Sequence, residues 1–356
     1  MAYLKMNRES LKHNYNFLKS LFHSKDLDWG VVSKLFCGNE LFIQELINLG
    51  IKEIHDSRIS NLKIVKKLDP SVQTVYIKPP AKENVDEIVS CADVSMNTEF
   101  FTIKLISDEA ARQNCIHKII IMIETGDLRE GVMGDDLIEF YSECFDLPNI
   151  EIIGIGTNLN CLHGVLPSQD KLIQLSLYKQ IIELKFDRKI PWISGGTSVT
   201  IPLILNSQIP KGVNHFRIGE TLYFGLNLFD EEVIPGMKKD VFEFAAQVIE
   251  INKKPMLPIG ELGANPQGDI MEVDTALYGK THCRAILDVG LLDLDPKYIK
   301  PVDKGLKFVG ASSDMLVLDL GENENKHKVG DMMQFELKYM GALQLLNSDY
   351  IEKRID

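Results

Sequence analysis

Between Trp29 and Gly219, short apolar runs of strand length alternate with segments in which apolar residues recur at helical spacing. The strand candidates are "WGVV", "EIHD", "TVYIK", "DVSMN", "HKIIIMIE", "IEIIGIG", "PWISG" and "NHFRIG". The spacing predicts helices over 40–49, 57–67, 98–112, 135–144 and 168–184, and another over 7–21 ahead of the first strand. Asn7, Ser57, Thr98 and Ser168 stand where N-caps belong. Parallel strands need crossover connections, which helices supply. Eight strands in this alternation therefore predict an α/β fold, a (β/α)8 TIM-type barrel, which usually takes roughly 250 residues. A doubly wound sheet is the rival, but "KLFCGNE" after the first strand is no GxGxxG turn.

Residues 1–230 are assigned to the barrel. Beyond that point "VFEFAAQVIEI", "HCRAILDVG", "LKFVGASSDMLVLDL" and "DMMQFELKYMGAL" are strand-like and joined by Pro, Gly and Asp turns. They predict a smaller, mostly β domain over 231–356.

The 356-residue length accommodates both domains, and 45% hydrophobic with 25% charged residues is ordinary for a globular chain. A net charge of −12 demands a local basic stripe for any nucleic-acid partner, and "KKPMLPIG" and "IVKKLDP" are only isolated lysine pairs. The start, "MAYLKMNRESLKHNYNFLKSLF", has no long apolar run or small-residue cleavage site, and no later segment is long enough to span a bilayer. Neither a nucleic-acid nor a membrane partner is expected. Six dispersed cysteines without CxxC spacing point to a reducing, cytoplasmic setting, and eight histidines without an HxxxH or HExxH pair indicate no metal site.

Barrel chemistry sits at the carboxyl ends of the strands, with phosphate often bound after the last two. Lys34 follows the first strand, Arg129 the fifth and Asn158 the sixth, while Arg217 and Gly219 close the eighth. Taken alone, Lys34 is an ordinary lysine ending a strand. "ISGGTSVT" offers close backbone approach at Gly195 and Gly196 and hydroxyls at Ser194, Thr197 and Ser198, which suits a phosphate; on this stretch alone a tight strand-to-helix turn with Thr197 or Ser198 as a plain N-cap is the favoured reading. A phosphorylated aldehyde held there could condense with the Lys34 amine, and pyridoxal 5'-phosphate is such a cofactor. Arg217 beside the pyridine nitrogen would discourage ring protonation; its ordinary alternative is a salt bridge to Glu220 or another strand-end carboxylate.

At this point the chain resembles the alanine racemase fold group of pyridoxal phosphate enzymes. "VVSKLFCGN", "ETGDLREG", "RIGETLYFG" and "GASSDMLVLD" are similar to that group's segments in the same order, over nearly the whole chain. "GDLREG", "GTNLNC", "SGGTS" followed by "RIGE", and "RAILDVGLLDLDP" resemble more closely its ornithine racemase branch. The resemblance implies that Lys34 is the cofactor lysine and that Arg217 faces the pyridine nitrogen. It places the Gly219 and Glu220 amides, with Thr197 and Ser198, at the phosphate. Arg129 matches a residue holding the substrate carboxylate, and Ser313 lies where the β domain of a partner subunit reaches that carboxylate, with Asp314 beside it. A head-to-tail homodimer with shared sites is implied. The chain also departs from the group: Leu291 stands near the position of a proton-carrying tyrosine, Cys37 near that of a phosphate-binding tyrosine, and Asn158 where a histidine often stacks on the ring.

The implied activity is racemization of an amino acid by two-base α-proton exchange, with Lys34 serving one face. Cys283, His282, Asp293 and Tyr339 are candidates for the other, each with an ordinary reading as thiol, surface imidazole, turn carboxylate or strand aromatic. Asp293, Asp127 or Glu130 could read a side-chain ammonium, which would favour ornithine or another basic substrate over alanine. The alternatives are an alanine or broad-specificity racemase, a decarboxylase on the same architecture, a non-catalytic carrier of the cofactor and a cofactor-free aldolase.

Overall fold

The computed structural model describes residues 2–264, 268 and 270–356. After a short strand β1 (Tyr3–Met6), helices and strands alternate: α1 (Arg8–Ser24), β2 (Asp28–Val32), α2 (Glu40–Asn48), β3 (Glu53–Asp56), α3 (Ile59–Leu68) and β4 (Gln73–Tyr76). The series continues with α4 (Val85–Cys91), β5 (Val94–Asn97), α5 (Phe100–Arg112), β6 (His117–Met122), α6 (Leu137–Phe145) and β7 (Ile150–Gly156). It ends with α7 (Gln169–Phe186), β8 (Trp192–Thr197), α8 (Ile201–Leu205), β9 (His215–Ile218) and α9 (Glu220–Phe224). Strands β2 to β9 pair in parallel and close into an eight-stranded barrel, as the alternation predicts. Each is covered on both faces, so strands such as Val94–Asn97 are buried throughout and read as near-continuous runs.

The helix starts differ from expectation at two caps. Ser168 does cap α7, accepting from the Lys171 N–H at 3.4 Å. Glu99, not Thr98, caps α5 by accepting from the Thr102 N–H at 2.8 Å. At α3 the turn is held by buried Asp56, which accepts from the Arg58 N–H at 2.9 Å, so Ser57 is not its cap. Helix α4, seven residues long, is too short to announce itself by period.

Residues Arg8–Lys239 form one compact unit, and Met1–Asn7 with Asp240–Asp356 form the other. The boundary thus lies after Lys239 rather than at 230, and the first strand belongs to the β unit. The reason is pairing: β1 runs antiparallel to β10 (Phe242–Pro255) and parallel to the last strand. The remaining elements are β11 (Thr281–Leu287), β12 (Ile299–Pro301), β13 (Lys307–Ala311), β14 (Leu316–Asp319), β15 (Met332–Leu337), α10 (Tyr339–Asn347) and β16 (Glu352–Ile355). All pairs along β12-β15-β10-β11-β14-β13 are antiparallel. Tyr339 opens a helix, not a strand: Gly341, Ala342, Leu345 and Leu346 form its buried stripe. Among the described residues no helix is long and apolar enough to cross a membrane.

Candidate active site

Lys34 begins a single 3-10 turn, Lys34–Phe36, immediately after β2. Leu35 and Phe36 point into the core, which leaves the Lys34 side chain exposed. Buried Ser33 ties this turn to the next strand, its hydroxyl donating to Asp56 Oδ2 at 2.8 Å. From the other side the Tyr223 hydroxyl of α9 donates to the Val32 carbonyl at 2.8 Å. Gly219 is needed for that approach, because a Cβ there would lie 3.1 Å from Val32 Cβ and 3.2 Å from its oxygen. Among the described residues no hydrogen bond engages the Lys34 ammonium, and its charge opposes the rise that burial causes in the Glu220 carboxyl. Cys37 ends the turn in a left-handed conformation, φ 50°.

Arg217, on β9, is buried. Its Nη1 donates to Ser194 Oγ and its Nη2 to the Thr157 carbonyl at 2.7 Å. Among the described residues no ion pair joins it to Glu220 or to another strand-end carboxylate, so the ordinary alternative for this arginine does not hold. Burial pulls the guanidinium down to about 10, which still leaves it a cation at neutral pH. Beside it Asn158 donates to Glu130 Oε1 at 3.2 Å, while its buried Oδ1 has no hydrogen-bond partner. Glu130 also takes both Nε and Nη2 of Arg129, which is therefore engaged by its own neighbour rather than poised alone.

Ser198 follows β8 and its Oγ accepts from the Gly219 and Thr221 N–H groups, each at 3.2 Å. The Gly219 amide is thus already satisfied. The Ser198 proton and the Glu220 N–H, first in α9, are left to face an anion. Gly196 has φ 129°, which lets Thr197 and Ser198 turn toward this loop.

The acids expected to read an ammonium are otherwise occupied. Asp127 is buried and accepts from the N–H groups of Cys161, Leu162, His163 and Val165 at 2.8 to 3.2 Å. Burial pushes its carboxyl up, but these four amides outweigh it and hold it below the usual range. In the β unit, Asp293 is buried and accepts from the Gly290 N–H at 3.3 Å and the Ser348 hydroxyl at 2.7 Å. It is a turn-closing residue, and neither the proton-carrier nor the ammonium role fits it.

Of the other β-unit candidates, His282 pairs with Asp319 at 2.9 Å, and half-buried Cys283 on β11 keeps a free thiol. Ser313 is exposed between β13 and β14, donating to Asp314 at 3.2 Å, and its carbonyl accepts from the Leu292 N–H. Leu291 donates its own N–H to Ser312 and offers no proton carrier.

The barrel mouth therefore gathers Lys34, Asn158, Ser194, Thr197, Ser198, Arg217, Gly219 and Glu220 on adjoining strand ends. An unpartnered buried amide oxygen, a buried cation without a carboxylate against it and an unengaged amine fit a polar ligand bearing an anion. The family description "alanine racemase, N-terminal domain" fits residues 6–227. The chain belongs to the alanine racemase family. It is similar to the ornithine racemase of Acetoanaerobium sticklandii, 37% identical over 97% of each chain. The lysine racemase of Thermotoga maritima is 30% identical over 98% of this chain and 97% of that one. The alanine racemase of Bartonella henselae, solved with covalently bound pyridoxal phosphate, shares the fold with a TM-score of 0.76 at 14% identity, over 100% of this chain and 99% of that one.

Around Arg217 and Ser194 the structure sets residues that the sequence alone did not single out. Thr157 supplies the carbonyl on Arg217, and His215 and Glu53 underlie Ser194. The signal was present for two of them: His215 and Arg217 are two apart on one strand, as are Glu53 and His55, so each pair shares a face.

Proposed function

We propose that the chain is a pyridoxal phosphate-dependent racemase of a basic amino acid of the ornithine or lysine type, acting as a head-to-tail homodimer. The observation that carries the reading is Arg217, a buried cation at the barrel mouth held by neutral oxygens only. The full-length similarity to an ornithine and a lysine racemase supports the substrate class, since Asp127 and Asp293 are both consumed by structural hydrogen bonds.

In this reading pyridoxal phosphate supplies the electron sink that makes an amino acid's α-proton removable. The Lys34 amine would anchor the cofactor and hold or move the α-proton on one face. Arg217 would offer N–H donors rather than an acid proton to a ring nitrogen placed against it. Ser198, Thr197 and the Glu220 amide would hold the phosphate, and the unpartnered Asn158 Oδ1 would accept from a donor of the bound ligand. Arg129 holds the substrate carboxylate, exchanging one of its contacts to Glu130. Ser313 assists it from the β unit of the second subunit, and the Cys283 thiol is the remaining candidate for the second proton.

The test is incubation of the cofactor-loaded protein with L-ornithine, L-lysine or L-alanine in deuterium oxide, read by chiral chromatography and mass spectrometry. The D-enantiomer of ornithine or lysine should appear with deuterium at Cα, and faster than D-alanine does. Absence of any enantiomer would refute racemization, and release of carbon dioxide would establish the decarboxylase instead. Sedimentation at a monomer's mass would remove the dimer.

A further inference from the structure

Below Arg217 the barrel interior holds a row of polar groups that the cofactor residues do not explain. Phe216 packs outward on Phe22 of α1, so its neighbours His215 and Arg217 both point inward. Arg217 Nη1 donates to Ser194 Oγ, and His215 Nδ1 lies 3.0 Å from the same oxygen. His215 Nε2 is 2.8 Å from Glu53 Oε1, and His55 Nε2 is 2.6 Å from that same Oε1. The His215 ring is stacked on Trp192 at 4.4 Å and 10°, which fixes its plane. Gly30 faces the row because nothing larger fits: a Cβ would come within 2.2 Å of His55 Nε2 and 2.4 Å of Glu53 Oε1.

Donor and acceptor capacity gives the row a direction. A guanidinium only donates and an ionised carboxylate only accepts. Both imidazole Nε2 atoms must then carry hydrogens toward Glu53. Ser194, having accepted from Arg217, has one proton to give, and His215 Nδ1 is the acceptor in reach. His215 is therefore the neutral Nε2–H tautomer, and every proton in the row points from Arg217 toward Glu53. His55 is likewise neutral, with an unpartnered Nδ1 lone pair. Charge balances too, one guanidinium against one carboxylate.

Glu53, His55 and His215 are also donor types a metal would use, and their atoms lie close together. The 2.6 and 2.8 Å separations are hydrogen-bond lengths. A tetrahedral metal with bonds of about 2.1 Å would hold its ligand atoms roughly 3.4 Å apart.

We propose that Glu53, His215 and Ser194 form a positioning relay in which Glu53 is the counter-charge of Arg217 at two removes, fixing the guanidinium while keeping a carboxylate out of contact with it. A direct partner would turn the fork away from the mouth; the relay holds it from below and leaves its outer edge clear. The value of that edge to a ring nitrogen rests on the reading under Proposed function, but the relay itself does not.

The experiment is 15N NMR of the histidine and arginine side chains in the cofactor-free, full-length protein. His215 should show a protonated, exchange-protected Nε2 and a bare Nδ1 at neutral pH, and Arg217 should show separate, slowly exchanging Nη signals. Ser194→Ala, which removes a single oxygen, should leave the fold intact by circular dichroism, shift the His215 Nδ1 signal, and shift the Arg217 Nη1 signal and speed its exchange while Nη2 stays held by the Thr157 carbonyl. Ser194→Thr should restore both signatures. Glu53→Leu, which leaves no acceptor, should abolish the protected Nε2 proton. A doubly protonated or Nδ1–H His215, an Arg217 unaffected by Ser194→Ala, or a stoichiometric metal by elemental analysis would each overturn the relay. Failure of the wild type to take up pyridoxal phosphate would refute the cofactor reading while the NMR result still decides the relay.

Discussion

Single buried side chains in this barrel settle their protonation through what their neighbours can donate. On β5 Asn97 Nδ2 donates to Ser95 Oγ at 2.9 Å, so the Ser95 proton is free for His117 Nε2, 2.9 Å away. His117 is buried, and burial pushes its imidazole down to about 4. Its folded pKa lies below the unfolded value of about 6.5. The unfolded chain therefore takes up this proton first as pH falls. The stabilisation is complete above pH 6.5 and is lost as pH drops through 4, amounting to about 3 kcal/mol. Urea unfolding of wild type and His117→Gln between pH 7.5 and 4 should show the wild type losing about that much more stability than the variant. Parallel curves would contradict the assignment.

At the level of elements, the loops that build the mouth are held by side-chain acceptors rather than by regular pairing. Asp127 gathers four backbone amides of the segment after β7, and Asn158 and Cys161 lie on that segment. Asp127→Asn replaces one acceptor oxygen by an N–H donor, at a cost of about 1.5–3 kcal/mol for charged hydrogen bonds of this kind. Hydrogen exchange over 158–166 should accelerate while the barrel strands keep their protection; unchanged exchange in the loop would show that the carboxylate does not order it. Such roles were not legible beforehand. An aspartate in "GDLREG" reads as a substrate contact until the four converging amides are seen, and Asp293 in "DVGLLDLDP" is the same case. The barrel strands, by contrast, were legible because burial on both faces makes them apolar throughout, and each of the eight segments became a strand. Helix α4 was missed for want of length, and the caps at Ser57 and Thr98 moved because nearby carboxylates, Asp56 and Glu99, are better placed acceptors.

At the scale of the whole molecule, the chain departs from its own order. Strand β1 joins the unit formed by residues after 240, pairing Leu4 with Phe244 and with Lys353, so that Leu4 and Met6 are fully buried. Four residues give no pattern by which to foresee partners so distant in sequence. Polar residues at strand ends had a barrel rule to be judged against. It singled out Lys34, Arg217 and Ser198 as candidates, which the structure sets on adjoining strand ends, whereas the layer beneath, His215 and Glu53, required knowing which strands adjoin. Burying that layer lets the fold keep a cation in its interior without a direct counter-ion.

If the Lys34 amine, alone among the chain's lysines, anchors pyridoxal phosphate, borohydride reduction of the cofactor-loaded, full-length protein will fix the pyridoxyl group there. Proteolysis and mass spectrometry should then find one adduct per chain, on the peptide containing Lys34, and none in Lys34→Ala. An adduct on another lysine, or no adduct at all in the wild type, would refute the assignment.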